Sequence, residues 1–132
     1  MPAPKTFNTP AAGAKTALVV DDDPIVCKVV AATLSQKFTV YVAESAERAT
    51  ETLDAVTPDL LVCDIMMPKV DGLQWVKLAR ARKELAKVPV IFLTSKSSPL
   101  DVVAGINAGA RYYLTKPVNP ADLLDKAVRA TR

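Results

Sequence analysis

Three aspartates stand where acidic side chains are energetically unfavourable. Asp21 and Asp22 follow the apolar run ALVV at 17–20, and Asp64 follows LLVC at 60–63. Thr94 closes the run VPVIFL at 88–93, and Lys116 closes RYYLT at 111–115. If these runs are parallel strands, the residues just past them gather at one edge, because sites in open parallel sheets form beyond the carboxyl ends. Two like charges about 4 Å apart repel by about 4 kcal/mol at an effective dielectric of about 20. Three clustered carboxylates therefore call for a cation, and oxygen ligands of this kind suit Mg²⁺, which prefers octahedral geometry and keeps waters. A metal with open positions beside a lysine makes a receptor for a phosphoryl group. Asp23 has a separate explanation as the cap of a helix that starts at Pro24.

The elements that position these residues are legible in the chain. The five apolar runs include FTVYV at 38–42, and several are continuously apolar, as in central strands covered on both faces. Helical periods fill the gaps. Residues 24–35 group Val26, Val29, Val30, Thr33 and Leu34, and residues 46–56 group Ala46, Ala49, Leu53 and Val56. A less clean period spans 73–86, a fourth spans 99–108 with Val102, Val103 and Ile106, and a fifth spans 121–130 with Leu124, Ala127 and Val128. Asp23-Pro24, Ser98-Pro99 and Asn119-Pro120 mark helix starts, and Gly109 marks a helix stop. Five strands alternating with five helices predict an α/β sheet covered on both faces, with right-handed crossovers. Residues 1–15, rich in Pro, Ala and Thr without a period, read as a flexible tail, and residues 16–131 as one domain.

Composition narrows the function. The chain has 132 residues, half of them hydrophobic, and a net charge of +3. The basic residues are scattered apart from RARK at 80–83, which reads as a solvated helix face, and no nucleic-acid module is visible. The two cysteines, Cys27 and Cys63, form no CxxC, and there is no histidine to complete a zinc site. Both read as buried, inert thiols of a reducing cytoplasm. No run reaches the roughly 18–20 apolar residues of a membrane span, and no signal peptide is visible.

LVVDDDP at 18–24, PDLLVCDIMMPKVDG at 58–72, VIFLTS at 90–95 and YYLTKP at 112–117 together resemble the receiver domain of a two-component response regulator. The resemblance covers roughly 15–130. It implies a flavodoxin-like five-stranded parallel sheet in the order 2-1-3-4-5, and the following roles. Asp64 matches the phosphoacceptor that attacks a phosphohistidine on a histidine kinase or phosphotransfer protein. Asp22 matches the direct Mg²⁺ ligand, Asp21 its acidic partner, and the backbone carbonyl of Met66 a further metal oxygen. Lys116 matches the lysine that pairs with the phosphoryl oxygens, and Thr94 the hydroxyl that moves toward them. Tyr113 stands at the aromatic position of the switch. The Lys116-Pro117 bond is cis in similar proteins. The implied protein is a signalling phosphoacceptor that assists its own phosphotransfer and dephosphorylation, not an enzyme acting on a separate substrate. Its downstream protein partner would dock on the fourth helix (99–108), fifth strand (111–115) and fifth helix (121–130). Lys96, Arg111, Lys126 and Arg129 lie near that face and favour an acidic partner. No output domain is expected within these residues.

Three rivals fit less well. A phosphatase with an aspartyl-phosphate intermediate needs an acid two positions after its nucleophile, where this chain has Met66. A flavin carrier needs a Ser/Thr/Gly-rich phosphate loop, where this chain has Asp21-Asp22-Asp23. A degenerate receiver lacks one of the key acids or the lysine, and here all are present.

Overall fold

The computed structural model describes residues 5–9, 12–95 and 110–132. Seven elements build the first half: β1 (Lys15–Val20), α1 (Pro24–Leu34), β2 (Phe38–Ala43), α2 (Ala46–Ala55), β3 (Leu60–Asp64) and a short hairpin of β4 (Met66–Met67) and β5 (Val70–Asp71). Then follow α3 (Gly72–Arg80), a 3₁₀ turn (Lys83–Leu85), β6 (Val90–Thr94), β7 (Ala110–Thr115) and α4 (Pro120–Ala130). Five strands pair in parallel in the spatial order β2-β1-β3-β6-β7. The hairpin interrupts the numbering that the sequence predicts. Four helices are seen among the described residues, and the one expected over 99–108, with Ser98-Pro99, Gly109 and Lys96, lies outside them.

Side-chain alternation along the strands sorts the core into two layers. Leu18, Val20, Leu61, Cys63 and Phe92 pack with Ala49 and Leu53 of α2 and Val76 of α3. Val19, Val62, Ile91 and Leu93 pack with Val30 and Leu34 of α1 and Leu123 of α4. The helix starts follow the capping residues: Asp23 accepts from the Ile25 amide at 2.9 Å, and Asn119 from the Asp122 amide at 3.0 Å.

Three expectations need correction. The buried face of α1 runs through Cys27, Val30, Ala31, Thr33 and Leu34, while Val29 is 44% exposed. The apolar period alone had included Val29 and missed the smaller Cys27 and Ala31, which allow the helix to approach the sheet. The third helix ends at Arg80 rather than 86, because the Arg80 guanidinium donates to the backbone carbonyls of Ala86 and Val88 and folds the following segment back. RARK is therefore not a purely solvated face, and Arg82 pairs with Asp54 at 2.9 Å. Residues 5–9, within the stretch read as a flexible tail, lie along β2, and β1 begins at Lys15, one residue before the expected domain start. Among the described residues, no helix is long and apolar enough to cross a membrane.

Candidate functional site

Register explains why the charged residues meet. Val19, Val62 and Leu114 point into the layer shared with α1 and α4. Two residues further along the same strands stand Asp21, Asp64 and Lys116, so alternation places all three on one side of the sheet, at its carboxyl edge. Asp21 is fully buried and Asp64 is 3% exposed. Lys116 Nζ stands 2.9 Å from Asp21 Oδ2 and 3.4 Å from Asp64 Oδ1. Asp22, the next residue on, is exposed, and one oxygen from each of Asp21, Asp22 and Asp64 lies within 4.8 Å of the others.

Local bonds fix the acids. Asp21 Oδ1 accepts from the Asp23 amide at 2.9 Å, and Asp64 Oδ1 accepts from the Met66 amide at 3.3 Å. The Lys116 ammonium, 2.9 Å away, is the partner of Asp21 Oδ2, an oxygen that is otherwise buried without a donor. A buried carboxylate oxygen in that condition is a position that a cation satisfies. The donor set, all oxygen with one exposed acid, fits a hard divalent ion that keeps water ligands.

The electrostatics follow from the same crowding. Burial, and then repulsion from Asp21, push the Asp64 carboxyl up to about 6, although Lys116 and the Met66 amide pull the other way. Burial alone would lower Lys116, but its hydrogen-bonding and charge contacts with Asp21 and Asp64 raise it above the ordinary lysine value. The lysine is therefore a fixed positive charge between two carboxylates.

The remaining expected residues take these positions. Met66 is in β4, with its amide toward Asp64 and its side chain 54% exposed. Thr94 ends β6, is fully buried, and accepts the Lys116 amide on its backbone oxygen at 2.7 Å. Tyr113 pairs in register with Phe92 and packs against the layer under α2 and α3, the side on which alternation also puts Thr94. Asp21, Asp64 and Lys116 thus sit on one side of the strand ends, and the hydroxyl and aromatic on the other. The Lys116-Pro117 bond is cis. Lys126 and Arg129 pair with Asp122 and Asp125 within α4, and Lys126 also lies 5.5 Å from the Tyr112 ring centre.

The sequence reading missed three supports. Gly72 packs so closely under the acceptor that a Cβ there would stand 2.1 Å from the backbone oxygen of Asp64. The Cys27 thiol donates to the Asp21 carbonyl at 3.1 Å, and the Cys63 thiol to the Asp64 carbonyl at 3.2 Å. Both thiols are buried and free. Burial and then the neighbouring acids push Cys27 up to about 12 and raise Cys63 as well, so neither is a thiolate. Only the Gly72 contact had a sequence signal, an Asp-Gly pair before a helical period. An open depression of about 690 Å³ adjoins the acids, lined by Asp22, Leu73 and the loop from Ile65 to Asp71.

Comparison with known proteins points one way. The profile of the response regulator receiver domain matches residues 17–128. The transcriptional regulatory protein TrcR of Mycobacterium tuberculosis is 39% identical over 108 residues, which are 81% of this chain and 41% of TrcR. The alkaline phosphatase synthesis transcriptional regulatory protein PhoP of Bacillus subtilis is 34% identical over 110 residues, 83% of this chain and 45% of PhoP. The chain thus spans about half the length of the curated relatives it matches. The solved structure of the Vibrio cholerae chemotaxis protein CheY4 superposes with a TM-score of 0.85 at 28% identity, covering 89% of this chain and 99% of that one.

Proposed function

The chain belongs to the response regulator receiver domain family of two-component signalling systems, and from that premise we propose that Asp64 is its phosphoacceptor. A carboxylate oxygen of Asp64 attacks the phosphorus of a phosphohistidine on a histidine kinase or phosphotransfer protein. A P–O bond forms, the P–N bond breaks, and the imidazole leaves with a proton. The observation that carries this reading is the convergence of Asp64, Asp21, Asp22 and Lys116 at the sheet's carboxyl edge. Asp21, Asp22, Asp64 and the Met66 carbonyl would hold Mg²⁺, which supplies charge neutralisation for the incoming phosphoryl oxygens.

Lys116 has a second task in this reading. It is already charged and already beside the acceptor, so it stabilises negative charge on the transferred group without rearranging. The phosphoryl group adds a charge of about −1.5 to −2 and three strong acceptors. Thr94 donates its hydroxyl to one of them, and Tyr113, on the same side of the sheet, follows into the space released. The reading extends to a downstream protein that recognises the region of β7 and α4 after this shift. Buried free thiols at Cys27 and Cys63 suit a reducing, cytoplasmic setting.

The test is labelling with acetyl phosphate and Mg²⁺, read by intact mass. One phosphoryl group is expected on the wild type and none on Asp64→Asn. Equal labelling of both proteins would remove Asp64 from this role.

A further inference from the structure

The five-stranded sheet has an open edge at β2, and the chain covers it with its own residues 5–9. The backbone amide of Phe7 donates to the Val40 carbonyl at 2.7 Å. The Asn8 side chain does the work of a second peptide unit: its Nδ2 donates to the Phe38 carbonyl at 2.8 Å, and its Oδ1 accepts from the Val40 amide at 2.9 Å. Thr6 makes an antiparallel bridge to Tyr41. Three backbone groups facing away from β1 are thus satisfied by two residues.

The strand underneath needs such a cover. Its sequence, FTVYVA, has no charge, proline or glycine, and five of its six residues are β-branched or aromatic. An edge strand of that composition, with a free row of N–H and C=O groups, is a template for pairing with another strand. Natural edges are blunted by charge, proline or bulges; β2 has none of these and carries the segment instead. Val42, the next outward residue after Val40, turns its backbone to the same edge, on the other side of the Thr6–Tyr41 bridge.

We propose that residues 5–9 are a displaceable cover, and that the occupant the uncovered edge accepts is β2 of a second copy of this chain. The covering segment already runs antiparallel to β2, which is the sense a twofold axis imposes on two identical edges. With Val40 opposite Val40 of the second copy, Phe38 falls opposite Val42, and every pair is uncharged. The result is one sheet continuous across two molecules. This surface is separate from Asp64 and does not depend on phosphorylation.

The experiment compares the full chain, Asn8→Ala, Phe7→Pro with Asn8→Ala, and a chain lacking residues 1–9, by sedimentation equilibrium and circular dichroism. Self-association is expected to strengthen at least tenfold in Phe7→Pro/Asn8→Ala and further in the truncated chain, with a limiting stoichiometry of two. Adding Val42→Pro should return either variant to the monomer, because proline removes an outward amide and leaves the β1 ladder intact. Folded variants that stay as monomeric as the full chain overturn the proposal. So does association that ignores Val42→Pro or has no defined stoichiometry. If truncation unfolds the chain, the decision rests on Asn8→Ala, whose Val40 amide should exchange with solvent at least tenfold faster than in the full chain; unchanged exchange also overturns it.

Discussion

The bodies of the central strands and their last residues obey opposite rules. From Leu60 to Cys63, and from Val90 to Leu93, every side chain is apolar and every one is buried. One step further, Asp64 and Thr94 are also buried, but they carry a charge and a hydroxyl. The strand bodies gain free energy from burial, at about 25 cal/mol per Å² of apolar surface. The strand ends spend part of it by holding carboxylates out of water, against a lysine and each other. The difference teaches that stability and chemistry occupy adjacent positions on the same strands, and that they separate by mutation.

The largest effect tests the bodies. Phe92, fully buried, should cost about 3–5 kcal/mol when changed to Ala in urea unfolding. Asp64→Asn, at the end of the neighbouring strand, should do the reverse in metal-free protein. The sign follows from the carboxyl being pushed from 3.8 up to about 6 in the folded state. The folded protein then binds this proton more tightly than the unfolded chain, so wild-type stability falls as pH rises across that window. The Asn variant should be more stable by up to about 3 kcal/mol above pH 6, and the gain should vanish near pH 4. A variant that is less stable at both pH values would break the comparison.

Third in size is the ion. Asp22→Ala leaves the buried pair intact and should weaken Mg²⁺ binding at least tenfold, about 1.4 kcal/mol, by calorimetry. Equal affinity in the two proteins would take Asp22 out of the site. The smallest effect tests the hairpin turn. Lys69 adopts a φ of 69°, the left-handed region that favours glycine. Lys69→Gly should stabilise the fold by about 0.5–1 kcal/mol and leave Asp64 labelling unchanged.

The sequence was most legible where local chemistry and burial agree. Apolar runs located all five strands of the parallel sheet, and those of the central β1, β3 and β6 are continuous because strands covered on both faces leave no room for polar alternation. Asp23-Pro24 and Asn119-Pro120 located two helix starts, because capping is a contact within three residues. Asp21, Asp64 and Lys116 were found because each interrupts an apolar strand at its end. What escaped depends on distant partners. The turn at Arg80 rests on carbonyls six and eight residues away. The support of Asp64 by Gly72 depends on how the chain returns under β3. The docking of Asn8 joins residues 30 and 32 positions apart, and no local pattern announces an asparagine that stands in for a peptide unit. The orientation of α1 turned on Cys27 and Ala31, where small size mattered more than hydrophobicity.

Trp75 gives the molecule an optical consequence. It is the only tryptophan, 5% exposed, and its indole nitrogen donates to Thr50 Oγ1 at 3.0 Å, linking α3 to α2. Native tryptophan emission therefore originates from one layer only, the one that contains Phe92 and borders Tyr113. Red-shifted light marks the loosening of α2 from α3, whatever happens between α1 and α4. β2 borders this layer through Ala43 and Tyr41, and Tyr41 is the residue that Thr6 of the covering segment bridges, so the same indole also senses a disturbance of that strand.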